Sequence, residues 1–210
     1  MTEDKPKLII VAGPNGSGKT TITQQLLYHE WMQDCEYINP DFIALNEFGD
    51  WSSRANFVKA ADIAKERREK CLIERRGIGF ETVFSTQEKL DFVKRAKEND
   101  FFVRFFCIFL NDPAINAQRV AQRVMEGGHD VSISKIIDRY YRSLGNSIQA
   151  TQYVDRAYFY DNSSQNSDAK LLFRLKQGSP KIHNEMPKWG EIMFKAITGM
   201  LPQDFQDQNI

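Results

Sequence analysis

Residues 13–20 read GPNGSGKT, which matches G-x-x-x-x-G-K-[ST], the spacing of a phosphate-binding loop. Each residue type has a physical reason. Gly13, Gly16 and Gly18 leave room for the backbone to turn its N–H groups inward, where a side chain would block a phosphate. The helix that follows would present its unpaired N–H groups and the positive end of its dipole to the same anion. Lys19 supplies a cation for the β- and γ-phosphates, and Thr20 a hydroxyl ligand for Mg²⁺. Pro14, Asn15 and Ser17 complete the loop, and Thr21 is the next neighbour, at the α-phosphate. The loop follows an apolar strand, KLIIVA, and opens a helix, which is the setting the motif requires.

Strand-like and helix-like segments alternate along the rest of the chain. Strands are expected at residues 7–12, 37–38, 79–84, 101–110, 157–161 and 170–175. Helices are expected at 18–30, 42–46, 54–76, 87–99, 113–126, 132–153 and 187–201. This order predicts an α/β fold of the P-loop NTPase/kinase type. It has a mainly parallel sheet, helices on both faces and a helical lid. Residues 1–201 read as one kinase domain, and 202–210 as a frayed tail.

Composition limits the partners. The 210 residues hold 28 basic and 28 acidic side chains, so no global field favours nucleic acid or a membrane surface. No apolar run approaches 18 residues, and the segment 1–7 is polar, so neither a membrane span nor a leader is expected. Cys35, Cys71 and Cys107 are scattered, as are His29, His129 and His183, which predicts reduced thiols, no zinc site and a cytoplasmic protein.

A phosphate loop gives nucleotide binding without fixing the reaction. No aspartate has glycine three positions later, and Glu88-Lys89-Leu90-Asp91 fails the base-reading pattern of GTPases in its first residue. ATP, or a loosely selected purine nucleotide, is therefore expected. The second substrate should lie beyond the carboxyl ends of the strands. There Asp41 either takes a proton from an attacking hydroxyl or caps the helix 42–46. Glu81, inside the apolar strand GFETVF, either holds Mg²⁺ through water or a substrate hydroxyl, or faces outward from an edge strand. Thr82 on this strand is a candidate substrate contact, and Ser85 and Thr86 after it are either further contacts or simply turn residues. Arg119 and Arg123 lie opposite the Ala114/Ala117/Ala121/Val124 face of their helix and so are expected outside the core. With Arg139, Arg142 and the Gly127-Gly128-His129 turn they make a candidate lid over the transferred phosphoryl group.

Taken in order, AGPNGSGKTT, YINPD, FETVFST, RVAQRVMEGGHDVS, RYYRS and YFYDNS resemble the zeta toxin family of P-loop kinases, over residues 8–162. The resemblance implies ATP-dependent transfer of a phosphoryl group to a hydroxyl of a nucleotide sugar such as UDP-N-acetylglucosamine. It implies catalytic roles for Lys19, Asp41 and the Arg119/Arg123 group, with Glu81 beside them. It further implies a small antitoxin that blocks the nucleotide site. The chain departs from the pattern in two places. Asp41 is followed by the apolar pair Phe42–Ile43, and the lid arginines match only as a group, with His129 a candidate substitute. An ATP-hydrolysing switch acting on a protein partner is the rival reading.

Overall fold

The computed structural model describes residues 5–49, 54–125, 131–165 and 167–207. Its elements run in the order β1 (Lys7–Ala12), α1 (Lys19–Leu27), β2 (Cys35–Tyr37), α2 (Pro40–Phe48), α3 (Arg54–Ile73), β3 (Gly77–Thr82), α4 (Gln87–Glu98), β4 (Phe102–Phe109), α5 (Pro113–Met125), α6 (Ile133–Ala150), β5 (Arg156–Asp161), β6 (Lys170–Lys176), β7 (Ser179–Ile182), α7 (Lys188–Thr198) and α8 (Pro202–Asp207). One seven-stranded sheet has the order β2-β3-β1-β4-β5-β6-β7. The first five strands are parallel, and β6 and β7 add antiparallel to the edge.

The two most apolar runs of the chain, β1 and β4, pair at the centre of the sheet, because only a strand covered on both faces tolerates continuous apolar sequence. Successive side chains point to opposite faces. Leu8, Ile10, Phe105, Cys107 and Phe109 enter the larger core, which α2, α3, α4, α6 and α7 cover. Ile9, Val11, Phe106 and Ile108 enter a smaller one, closed by Ile22 and Leu26 of α1. Helices thus lie on both faces. Phe105 is fully buried and meets the Phe84 ring edge-on at 5.0 Å. Phe105→Ala should cost about 3–5 kcal/mol, a large part of an ordinary domain's stability. Urea unfolding tests this, and a loss under about 1 kcal/mol would mean the core collapses around the gap.

All three cysteines are free. Burial pushes the Cys107 thiol up to about 12, and burial followed by the Glu36 hydrogen bond pushes Cys71 to about 11.

Several boundaries shift by a few residues, as in β2 (Cys35–Tyr37 against 37–38), α2 (Pro40–Phe48 against 42–46) and α1, which ends at Leu27 rather than residue 30, and three further segments differ from expectation. Strand β3 stops at Thr82 rather than residue 84, because Phe84 turns to a left-handed backbone angle of 58° that no strand accommodates. The four-residue strand β7 has no alternating apolar pattern to announce it, since it lies at the sheet edge and contains Pro180. Residues 202–207, expected to fray, form α8, and Phe205 packs edge-on against Phe194 at 5.6 Å. Among the described residues no helix is long and apolar enough to cross a membrane.

Candidate functional site

The phosphate loop joins the end of β1 to the start of α1. Gly16 and Gly18 have φ of 74° and 89°, the left-handed region that glycine enters without penalty. Space forbids a side chain as well. A Cβ on Gly16 would lie 2.7 Å from the Asn116 carbonyl oxygen, and one on Gly18 would lie 2.2 Å from the Asn162 side-chain nitrogen. The loop is held from outside at both of these places. Asn116 Nδ2 donates to the Asn15 carbonyl at 2.7 Å, and Asn162 Nδ2 donates to the Ser17 carbonyl at 2.9 Å. The Gly13 and Ser17 N–H groups are taken within the protein, by the Thr82 and Pro14 carbonyls at 3.2 Å each, and the loop's other N–H groups are left to a ligand. Ser17 Oγ and Asn116 Oδ1 are buried without a partner among the described residues, which suits a site completed by a bound anion and its water.

Lys19 Nζ donates to the carbonyls of Gly13 and Pro14, at 2.9 Å each. Burial lowers its pKa to about 8. The negative charge of Glu81 opposes that shift, and the positive charge of Arg123 adds to it. Arg123 is therefore near enough to act on the same charge as Lys19, and the amine is under-compensated until an anion arrives. A bound polyphosphate favours the charged amine and raises its pKa again. Binding above pH 8 should therefore take up a proton, and affinity for ATP should fall by up to about tenfold per pH unit from there until the higher pKa of the bound state is reached. Calorimetric titrations at several pH values, in buffers of differing ionisation heat, would measure both. An affinity flat across that window would show that Lys19 does not change charge there.

The neighbouring acid cluster is built by β2, β3 and α2. Glu81 is on an inner strand, between β2 and β1, so the outward-facing edge reading is overturned. Its carboxylate accepts Tyr37 Oη at 2.8 Å and Thr20 Oγ1 at 3.2 Å. Burial, then the adjacent Glu81 charge, pushes the Tyr37 hydroxyl well above its ordinary range, so it stays a donor. Asn39 Nδ2 donates to that hydroxyl at 3.1 Å. Asn39 also caps α2, its Oδ1 accepting the Asp41 N–H at 2.8 Å. Asp41 is thus not the cap. It sits in the first turn beside the N-terminal dipole, its carboxylate exposed and near enough to act on Tyr37. Among the described residues it accepts no hydrogen bond. Thr20 and Glu81 put a hydroxyl and a carboxylate together beside the phosphate loop. That oxygen set suits Mg²⁺, which takes one or two protein oxygens and leaves the rest to water and phosphate. Among the described residues no group of three or more His, Cys, Asp or Glu could hold a metal by itself.

The lid helices depart from their predicted packing. On α5 the buried positions are Asn116 and Val120, whereas Ala114 and Ala121 are exposed and Ala117 and Val124 half-buried. The face read as core is the outer one. Alanine gains little from burial, and the helix is instead docked by the Asn116 hydrogen bond and by Val120 against Gly16. Arg119 and Arg123 follow Asn116 by one and two turns on this inner side, so they rise from the loop. Arg119 makes long contacts, 3.4–3.5 Å, to the carbonyls of Ser163 and Ser164. On α6, Arg139 reaches Asn15 Oδ1 at 3.3 Å, while Arg142 pairs with Asp138 on the exposed side at 3.0 Å. The two arginines, one turn apart on α6, thus reach different partners. Thr82 shapes the strand end, with its Oγ1 accepting the Phe84 N–H at 3.0 Å and its carbonyl accepting Gly13 N–H at 3.2 Å. Asn146 Nδ2 holds the Phe84 carbonyl at 3.0 Å, and Ser85 follows, half-buried. Pro14 is buried, Thr21 is exposed on α1, and His129 lies outside the described residues.

Sequence reasoning passed over Tyr37, Asn39, Asn116 and Asn162. Tyr37, Asn39 and Asn162 lie within the quoted segments YINPD and YFYDNS, so a signal was present. Asn116, inside an alanine-rich helix, had none.

The same fold occurs in solved structures. A chain of the AvrRxo1-ORF1:-ORF2 complex aligns over 94% of this chain with a TM-score of 0.66 and 17% identity. The chain has the fold of P-loop kinases. It spans 65% of the length of that AvrRxo1 complex chain, which has also been solved with ATP. A chain of the PezAT chromosomal toxin–antitoxin system of Streptococcus pneumoniae aligns over all of this chain and 85% of its own length, with a TM-score of 0.57 and 14% identity. An uncharacterized protein of Haemophilus influenzae is 29% identical over 136 residues, 64% of this chain and 92% of the relative. No protein-family model matches the chain. The zeta toxin resemblance and these neighbours therefore agree on the P-loop kinase fold.

Proposed function

We propose that this protein is an ATP-dependent phosphotransferase of the zeta toxin type. Its acceptor would be a hydroxyl of a nucleotide sugar such as UDP-N-acetylglucosamine, and it would act as the toxin of a toxin–antitoxin pair. One observation carries the kinase reading. Asp41 is released from capping by Asn39 and stands beside the Tyr37–Glu81–Thr20 chain that leads to the phosphate loop. The fold shared with a chain of the AvrRxo1-ORF1:-ORF2 complex, also solved with ATP, and with a chain of the PezAT toxin–antitoxin system supports the same reading.

Residues 13–21 hold the triphosphate. Thr20 and Glu81 would hold Mg²⁺, which, when bound, draws charge from the phosphate oxygens. Asp41 takes the proton of the acceptor hydroxyl as its oxygen bonds to the γ-phosphorus. The bond from that phosphorus to the bridging oxygen breaks, and ADP leaves with the electron pair. Lys19, Arg119 and Arg123 stabilise the charge that develops on the phosphoryl oxygens. Arg139 and Ser85 would contact the substrates.

Phosphorus NMR of the protein with ATP–Mg²⁺ and a panel of nucleotide sugars tests the proposal. A new sugar-phosphate resonance with matching ADP is expected. Free phosphate released equally with and without sugars would overturn it and favour the hydrolysing switch.

A further inference from the structure

The sheet carries a second surface, unrelated to the kinase reading. Residues 170–184 contain four Lys or Arg and no Asp or Glu, although the whole chain is balanced. The fold gathers these charges with others. On β5 and β6, Ala157, Phe159, Phe173 and Leu175 point into the larger core, so Arg156, Arg174 and Lys176 point to the opposite face. The register sets Arg104 beside Arg156, Arg156 beside Lys176, and Arg174 beside Lys181. Five cations thus occupy two adjacent rows across four strands, a patch of about 15 by 7 Å. The helix α1 covers only the β1 side of this face, and Arg174, Lys176 and Lys181 are exposed. None of the five forms an ion pair among the described residues. The charges act on one another: Arg156 opposes the charge on Arg104, and Arg174 and Lys181 oppose protonation of His183. Glu30 is the acid that acts on Arg104.

Cations on an edge strand guard against strand-to-strand association. That accounts for Lys181 on β7, where Pro180 also removes a donor, but not for Arg104 and Arg156 on inner strands. In register the two rows stand level with Ile9 and Val11 of β1, but the exposed cations Arg174, Lys176 and Lys181 lie three and four strands to the side of the strand that carries the phosphate loop. The patch's aromatic rings are already occupied. Tyr158 stacks on Phe106 at 4.8 Å, and the Arg104 guanidinium covers Trp31 at 4.0 Å. Single-stranded nucleic acid binds through open ring faces on which bases stack, and this surface offers few. Carboxylates need only the cations.

We propose that the face formed by Arg104, Arg156, Arg174, Lys176 and Lys181 docks an acidic polypeptide segment of a partner protein. The probe is a fluorescent polyglutamate peptide of about 20 residues, titrated into the full chain at low salt with ATP present, so that affinity reports Coulombic contact. Two triple variants carry the same change in net charge. In Arg174→Ser/Lys176→Ser/Lys181→Ser, affinity should fall about tenfold or more. In Lys65→Ser/Lys70→Ser/Lys195→Ser, which changes other exposed surfaces, it should hold within about twofold. ATP binding, measured in parallel, should be unchanged in both. If the first variant unfolds by circular dichroism, the single change Arg174→Ser should give a smaller loss of the same sign. The proposal falls if the unaltered protein does not bind the peptide, or if both triple variants lose affinity equally. It falls too if an oligouridylate of about 20 nucleotides binds more tightly than the peptide, which would point to nucleic acid.

Discussion

Lys19→Ala should lower ATP-dependent turnover about 10³-fold while leaving the fold in place. The amine is the cation held deepest in the loop, tied to the Gly13 and Pro14 carbonyls, and it faces the charge that develops on the transferred phosphoryl. Burial lowers its pKa more than the Glu81 charge restores it, so the protein's own groups under-compensate the amine and its removal costs the fold little. The melting temperature should move by no more than about 2–4 °C, the effect of roughly 1 kcal/mol in a chain of this size. Lys19→Arg should not rescue turnover, because a planar fork cannot replace a compact ammonium in that space. Coupled ADP release and differential scanning calorimetry would measure both. Turnover within tenfold of the unaltered protein would mean that residues 13–20 do not hold the reacting phosphates.

Asp41→Asn should separate chemistry from binding. The amide keeps the shape of the carboxylate but cannot take a proton, so turnover should fall about 10²–10⁴-fold. ATP affinity should change by less than about twofold, because the loop contacts do not involve Asp41. The loss of a negative charge from the first turn of α2 should cost about 0.3–1 kcal/mol. That is too little to explain such a loss of rate. If the variant hydrolysed ATP normally and responded to a protein partner, the switch reading would replace the kinase reading.

The two acids show how far spacing alone could go. Asp41 before a helix fits both a cap and a base, and nothing in the sequence separates them. The structure does so through Asn39, which takes the cap and leaves the carboxylate exposed. Glu81 in an apolar strand fits either an edge or a buried site, and the strand order decides, because β3 lies between β2 and β1. The lid misled for a related reason. A stripe of alanines looks like a core face, yet α5 is docked through Asn116 and Val120 to the phosphate loop, more than 90 residues earlier.

What the sequence determined by itself is whatever depends on neighbours along the chain. The apolar runs of β1 and β4 fixed the sheet centre, because continuous apolar sequence must be covered on both sides. The glycine spacing of residues 13–20 fixed the anion loop, because its geometry is local. What the tertiary structure decided depends on groups far apart in sequence. Asn116 and Asn162 brace the loop, Tyr37 orients Glu81, and five cations from β4 to β7 share one face. Hydrogen bonds act only at about 3 Å and charges in salt water only within about 10 Å, and only folding brings such residues that close.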